Sequence, residues 1–229
     1  MTGRVLGVDA CKGGWIGIVV DGGRTSAQFS PLIADLVAAV DAGGELAVIA
    51  VDMPIGLPDA GSRRADLLAS RALGPRRASV FMTPVRAAIE ADDYPTAVRL
   101  NRKATGAGIS AQAFGLRIKI REVDRWVRQQ RPRIVEIHPE LSFAHLAGAP
   151  LPYRKTSWAG VELRRTLLAE AGIELDRYLG HAGAVAAVDD VLDAAAAAWS
   201  AVRVTTGEAI CYPEPPEVFS DGIPSAIRA

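Results

Sequence analysis

Short apolar runs separated by glycine pairs occupy the start of the chain. Residues 4–8 and 15–20 are mostly hydrophobic and lie on either side of Gly13-Gly14, and a third strand near residues 26–30 follows Gly22-Gly23. This spacing predicts a meander of three antiparallel strands joined by tight turns. Because no helix-length segment separates the runs, the chain does not begin with a βαβ unit.

A helix and a buried strand are predicted after the meander. Hydrophobic residues recur at helical spacing over residues 33–40. Residues 46–51 are all apolar and show no alternation, which predicts a central strand that is covered on both faces and parallel to a neighbour. Asp52 follows at the C-terminal tip of this strand, before the stiff segment Met-Pro-Ile-Gly-Leu-Pro.

The rest of the chain is mostly helical by its pattern. Within residues 59–131, the predicted helices cover residues 63–73, 94–103 and, as one long amphipathic segment, about 111–130. Beyond them we predict a strand at 133–137 that Pro139 interrupts, helices at 141–146, 160–171 and 188–204, and a loose Pro-rich tail from Tyr212. The prediction is an α/β fold with a mixed sheet, an initial antiparallel meander, flanking helices and a helical insertion at about 59–131, in one domain of residues 1–229.

The composition of the chain limits the kinds of partner and the compartment that we expect for the protein. The chain has 229 residues, of which 49% are hydrophobic, and its 26 basic and 26 acidic side chains cancel, so no global field attracts a polyanion. Cys11 and Cys211 form no C-x-x-C pair, which favours reduced thiols and a cytoplasmic protein. The N-terminus lacks the apolar core of a signal peptide, and no apolar stretch is long enough to span a bilayer, so we expect no membrane partner.

Five acidic residues end or interrupt otherwise apolar elements. Asp9 ends the first strand, Asp52 ends the central strand, and Glu136 lies inside the strand IVEI. Asp190 and Asp193 are three residues apart, so they share one face of the last helix. Two carboxylates about 4 Å apart repel by about 4 kcal/mol at an effective dielectric near 20, so a converging group must protonate or bind a cation. Oxygen ligands favour Mg²⁺ or Mn²⁺ over zinc, and such ions support phosphodiester hydrolysis.

Five motifs in this order resemble one known family. The segments GVDACKGGW, VDMPIGLP, SVFMTPVR, EIHPELSF and DDVLDA, spread over about residues 4–207, are together similar to the domain-of-unknown-function family 429, which is regarded as a group of predicted RNase H-like nucleases. The aspartate in a first strand that opens a meander resembles the RNase H-like superfamily. The two aspartates three residues apart on the last helix resemble its resolvase-type branch.

The resemblance implies an RNase H-like fold and a metal-dependent nuclease. It makes Asp9 the metal ligand of the first strand, Asp193 the ligand of the last helix and Asp190 its companion. Asp52 and Glu136 compete for the remaining strand-borne ligand. Asp52 is favoured by its position at a strand tip, and Glu136 is kept because its motif matches the family.

Basic residues and one histidine are candidates for contact with a substrate phosphate. Guanidinium groups bind phosphates bidentately, although a solvated helix face is the default for such charges, as a structural hydrogen bond is for a lone histidine. The candidates are Lys12, His138, Arg63, Arg76 and Lys155. Nucleic acid is the expected partner, and the sequence leaves a homodimer open.

Two other functions stay open at this point. A non-catalytic binding or scaffold module could retain the RNase H-like fold without cleaving anything. An ATP-dependent phosphotransferase of related fold is less favoured, because the chain has no P-loop and the pair of glycines expected directly after Asp9 is missing.

Overall fold

A computed structural model describes residues 3–129 and 134–229 of the chain. These residues fall into two compact units. Unit 1 contains residues 3–52, 134–210 and 228–229, and unit 2 contains residues 53–129 and 211–227. Both units combine helices and strands, so the described chain is mixed α/β, as predicted. The organisation of residues 1–229 as one domain stays a prediction.

The elements alternate along the chain. The strands are β1 (Val5–Cys11), β2 (Gly14–Asp21), β3 (Arg24–Ser30), β4 (Val48–Val51), β5 (Ile134–Ile137), β6 (Cys211–Val218) and β7 (Pro224–Arg228). The helices are α1 (Ile33–Asp41), α2 (Arg64–Leu73), α3 (Arg86–Ile89), α4 (Tyr94–Thr105), α5 (Ala111–Gly115), α6 (Arg117–Gln129), α7 (Pro139–Ala147), α8 (Trp158–Glu170), α9 (Gly180–Val185) and α10 (Val188–Thr206), with a 3₁₀ helix at Gly74–Ser79. In the part of the chain that the structure describes, every helix is too short or too polar to cross a bilayer.

The five strands of unit 1 form a mixed sheet in the order β3-β2-β1-β4-β5. The pairs β1-β2 and β2-β3 are antiparallel, and β4 runs parallel to both β1 and β5. This confirms the predicted meander and the central strand with parallel neighbours. All four residues of β4 are buried, and α10 packs on one face of this strand.

Side chains alternate between the two faces of β1. A Cβ atom on Gly7 would overlap the backbone of α10 at Ala194 and Ala198. Leu6 instead points to the other face, where it approaches Gly17 of β2 beside α1. Because successive residues of a strand face opposite sides, Asp9 lies on the same face as Gly7 and therefore on the α10 side of the sheet.

α10 packs on the sheet through small side chains. Its alanines from Ala194 to Ala198 are completely buried, and the helix contacts β1, β2 and β4. Alanine has the highest helix propensity and the smallest Cβ-bearing side chain, so this run both forms a helix and lets the helix backbone approach the sheet closely. The Ala-rich run is thus part of a tightly packed core helix.

Several predicted boundaries differ from the structure by a few residues, and three differences change the description of an element. Asp9 does not end β1, which continues to Cys11. The amphipathic segment at 111–130 is two helices, α5 and α6, which meet at Leu116 directly after Gly115, a weak helix former. Pro139 does not merely interrupt a strand, because it begins α7 at a position where its missing N–H is not needed. Residues 130 and 133, where we predicted a helix end and a strand start, lie outside the described residues.

The prediction of a loose tail from Tyr212 is wrong, because the tail forms β6 and β7. β6 is an edge strand, where proline can replace residues whose N–H groups need no partner. Ser225, Ala226 and Ile227 of β7 are buried. The connecting turn is fixed within unit 2 by Asp221, whose carboxylate accepts hydrogen bonds from Arg86 and from the Leu57 N–H.

The close approach of α10 to Gly7 predicts that Gly7→Ala destabilises the protein strongly. The added methyl group would meet helix backbone, which cannot rotate away, so we expect a loss of about 3 kcal/mol or more in the free energy of unfolding. Denaturant unfolding measures this loss. The matched control is Gly115→Ala, whose Cβ would meet no atom within 4 Å and which should be neutral or slightly stabilising. Equal stability of Gly7→Ala and wild type would contradict this packing.

Candidate metal centre

Three aspartates of unit 1 meet at one edge of its sheet. Val8 of β1 is paired with Val51 of β4, so the residues that follow them, Asp9 and Asp52, occupy neighbouring positions. The Asp52 N–H donates to the Val8 carbonyl at 2.9 Å and continues the parallel ladder by one residue. Asp193 arrives from α10 on the same face. One carboxylate oxygen from each of Asp9, Asp52 and Asp193 lies within 4.8 Å of the others.

The cluster is largely removed from water. Asp9 is 7% exposed and Asp193 is 4% exposed, whereas Asp52 is half-buried and gives the cluster its contact with solvent. One oxygen of Asp9 accepts a hydrogen bond from the Ala10 N–H at 2.7 Å. Within the described residues, no hydrogen-bond donor contacts the Asp52 carboxylate. Burial and incomplete hydrogen bonding leave the negative charge poorly compensated.

A lysine supplies positive charge to the cluster. The Lys155 Nζ atom lies 2.5 Å from Asp193 Oδ2 and 3.5 Å from Asp189 Oδ2. Lys155 belongs to the loop between α7 and α8, and its side chain is 43% exposed. The ammonium therefore reaches the buried carboxylates from the solvent side.

Burial and mutual repulsion shift the pKa values of the three carboxylates in the same direction. Burial raises the pKa of Asp9 well above its usual range, and the charges of Asp52 and Asp193 raise it further. Burial likewise raises the pKa of Asp52, to which the charge of Asp193 adds. Burial raises the pKa of Asp193 to about 6, although the Lys155 ammonium acts against this shift. All three groups thus favour a proton or another cation.

The pKa of Lys155 is raised as well, but by attraction to the carboxylates and not by repulsion. Burial by itself lowers the pKa of Lys155, but the charges of Asp193, Asp9 and Asp189 outweigh burial and raise it overall. Its ammonium is therefore charged at any physiological pH.

The donor set fits a hard divalent cation. Three carboxylates that already lie within reach of one point offer only oxygen ligands, which suit Mg²⁺, Mn²⁺ or Ca²⁺ better than softer metals. Thiol or imidazole ligands are absent from this group of three. The cluster could therefore hold a metal ion, and its chemistry does not identify which one.

The two remaining predicted acids lie outside this group of three. Glu136 is paired with Val51, whereas its neighbours Val135 and Ile137 pack in the core that includes α10. Alternation therefore directs the buried Glu136 to the face of the sheet opposite Asp52. Asp190 is half-buried in the first turn of α10, where burial and the charge of Asp189 raise its pKa, and its own charge acts on Asp9.

The predicted phosphate contacts have different environments. Lys12 is exposed in the turn that joins β1 to β2. His138 is the N-cap of α7, where its Nδ1 atom accepts a hydrogen bond from the Leu141 N–H at 3.3 Å. Arg76, in the 3₁₀ helix of unit 2, is half-buried. The roles of these side chains in substrate binding stay predictions.

Arg63 has the least suitable environment for a substrate contact. It is fully buried in unit 2, and its guanidinium donates to Asp66 Oδ1 at 2.7 Å and to the carbonyls of Ile55 and Gly56. Asp66 in turn accepts a hydrogen bond from the Thr83 N–H. These contacts hold together the segment that follows Asp52 in sequence, and they argue against the predicted phosphate contact of Arg63.

Asp189 and Arg164, two charged residues near Asp193, were not predicted from the sequence. Asp189 lies in the first turn of α10, beside Lys155. Its i, i+4 spacing to Asp193 was the available signal, because such residues share a helix face. Arg164 of α8 is completely buried and pairs with Glu140 at 2.6 Å, a contact between helices that no local pattern reveals.

Comparison with known proteins identifies a family and no individual relative. A family model with the description "Protein of unknown function (DUF429)" matches residues 7–218. No curated protein and no solved structure matches the chain.

The cluster predicts that Asp52→Asn stabilises the metal-free protein. The change removes one of three like charges, so we expect the Tm at pH 7.5 to rise by about 2–4 °C, the shift that about 1 kcal/mol produces in a chain of this size. The gain should shrink as the pH falls through about 6, the pKa of Asp193. Raised pKa values mean that the folded wild type binds more protons than the unfolded chain in this range, so acid relieves the same repulsion.

Thermal unfolding in EDTA between pH 5 and pH 8 measures this effect. The matched control is Glu45→Gln, which removes an exposed acid from the loop before β4 and should leave the Tm nearly unchanged at every pH. A lower Tm for Asp52→Asn across the whole range would show that its carboxylate is stabilised by contacts that the geometry does not contain.

Proposed function

Because this chain belongs to the family described as Protein of unknown function (DUF429), whose description assigns no activity, we propose a function from the site itself. The proposed function is that of a metal-dependent nuclease that hydrolyses phosphodiester bonds. The observation that carries it is the convergence of Asp9, Asp52 and Asp193 within 4.8 Å in a largely buried position.

The architecture of unit 1 supports an RNase H-like fold for this nuclease. An antiparallel meander supplies Asp9, a parallel strand supplies Asp52, and a helix that crosses the same face supplies Asp193. The sequence resemblance implies this combination of a first-strand acid and a last-helix acid. A fold alone does not determine a reaction, so the proposal depends on the carboxylates and not on the fold.

Three aspartates would hold the metal, and the chain supports each of them differently. Asp9 and Asp52 are attached to neighbouring parallel strands, which fixes their separation, and Asp193 is attached to a helix packed on those strands. A Mg²⁺ or Mn²⁺ ion bound there would supply Lewis-acid stabilisation of the charge that builds on a phosphoryl oxygen during hydrolysis. We propose that Asp190, in the first turn of α10, accepts a proton at the edge of the cluster, where its charge acts on Asp9.

Electrostatics restrict where a polyanionic substrate can bind. The cluster is negative, so a phosphodiester would be repelled from it unless cations compensate the charge. Lys12 is exposed in the turn that follows Asp9, and we propose it as a contact for a phosphate of the substrate. Asp52, the most exposed of the three acids, marks the side from which a substrate would approach.

The proposal predicts that Asp9→Asn and Asp193→Asn each lose phosphodiester cleavage by about 100-fold or more, because each removes a charged ligand of the proposed ion. The assay incubates the full chain with single-stranded and double-stranded DNA and RNA in Mg²⁺, in Mn²⁺ and in EDTA. Circular dichroism verifies that each variant is folded. Asp35→Asn, an exposed acid of α1, is the control and should cleave like wild type.

Three outcomes would contradict the proposed nuclease. If Asp9→Asn and Asp193→Asn cleave as fast as the wild-type protein, these aspartates are not required for cleavage. Absence of cleavage by the wild type on every substrate, together with intact Mn²⁺ binding, would favour a non-catalytic module that retained the fold, and ATP turnover that needs a second substrate would favour a phosphotransferase.

A further inference from the structure

We propose that Lys155 is a built-in counter-cation of the carboxylate cluster, which competes with a divalent ion for Asp193 and thereby sets the affinity of the site for metal. The inference rests on the metal centre of the proposed function, but it does not require that the protein be a nuclease. It assigns to Lys155 a role toward the metal in place of the substrate contact that its sequence position suggested.

The contact between Lys155 and the cluster is direct. Its Nζ atom lies 2.5 Å from Asp193 Oδ2, and the oxygen of a second carboxylate, from Asp189, lies 3.5 Å away. Asp193 is also one of the three residues whose oxygens converge within 4.8 Å. The same carboxylate therefore serves both the ammonium and the proposed metal ligand set.

The backbone beside Lys155 is fixed by a buried arginine. Arg164, which is completely buried, donates from Nη1 to the carbonyl of Tyr153 at 3.3 Å and from Nη2 to Glu140 at 2.6 Å. Its Nη1 also donates to the carbonyl of Gly160 at 3.2 Å. A buried ion pair is costly to break, so the loop is held at Tyr153.

A second set of contacts fixes the loop at Arg154. Its carbonyl accepts hydrogen bonds from the Ser157 N–H at 3.1 Å and from Ser157 Oγ at 2.8 Å. A Cβ atom on Gly160 would overlap this carbonyl, so only glycine permits the observed approach of α8. The carbonyl groups of the two residues that precede Lys155 are thus held in place, which fixes the backbone from which the Lys155 side chain extends.

The side chain of Lys155, unlike its backbone, has room to leave. It is 43% exposed, and a lysine has a flexible four-carbon stem that can carry its ammonium into water. The backbone at Lys155 is therefore fixed, whereas its ammonium group can move away from the carboxylates. Such a residue can occupy a cation position when metal is absent and withdraw when metal binds.

The positive charge of Lys155 affects both the stability of the metal-free protein and its affinity for metal. Three ionised carboxylates would repel each other strongly at these separations, and the ammonium removes one unit of that negative charge. A divalent ion beside Asp193 would in turn be repelled by the ammonium. Lys155 thus stabilises the metal-free fold and opposes the binding of metal, two effects that a lysine contacting only substrate would not have.

The experiment measures Mn²⁺ binding to the full chain by isothermal titration calorimetry at pH 7.5. We expect Lys155→Met and Lys155→Gln to bind Mn²⁺ at least about tenfold more tightly than wild type, equivalent to about 1.4 kcal/mol, and to show a lower Tm in EDTA. The matched control is Arg154→Met, which removes an exposed cation from the preceding position and should bind Mn²⁺ like wild type. Circular dichroism verifies the fold of each variant.

The outcomes separate this inference from the proposed function. Tighter Mn²⁺ binding by both Lys155 variants supports the inference, even if neither the wild type nor the variants cleave a nucleic acid. Mn²⁺ binding by the variants supports it as well when the wild type binds no Mn²⁺. Unchanged or weaker binding by folded variants overturns the inference while leaving a wild-type metal site and its nuclease activity intact. Absence of Mn²⁺ binding in wild type and variants overturns both.

Discussion

The close approach of α10 to β1 is the constraint that determines where the acidic side chains lie. Gly7 and the alanines of α10 leave no room for larger side chains between the two backbones. Asp9 follows Gly7 by two residues on the same face of the strand, and Asp193 directly precedes the alanine run. The packing that forms the core of unit 1 therefore also brings two carboxylates together.

Register in the parallel part of the sheet adds the third carboxylate. Pairing of Val8 with Val51 places Asp52 beside Asp9, and one more backbone hydrogen bond extends that register to Asp52 itself. None of these contacts relieves the repulsion between the acids, whose pKa values are raised by burial. Residues that act against stability in this way are typical of functional sites, where the fold around them holds an unfavourable arrangement in place.

Much of this arrangement follows from local sequence signals. Glycine pairs predict the meander, and an unbroken apolar run predicts the central strand that ends at Asp52. The alternation of side chains along a strand would have assigned Asp52 and Glu136 to opposite faces of the sheet. Val135 and Ile137, on either side of Glu136, are the residues that face the α10 core. Contacts between distant parts of the chain were not predictable. The burial of Arg63 depends on hydrogen bonds to Asp66 and to backbone carbonyls that form only in the folded chain. The strands of the tail were not predicted because their prolines indicated a loop, although edge strands tolerate proline.

The proposed metal centre requires that the three aspartates bind a divalent ion, which anomalous diffraction from a crystal soaked in Mn²⁺ would reveal. We expect an anomalous peak whose protein ligands are carboxylate oxygens of Asp9, Asp52 and Asp193. A well-soaked crystal without a peak there, or with Mn²⁺ bound only at other carboxylates, would contradict it.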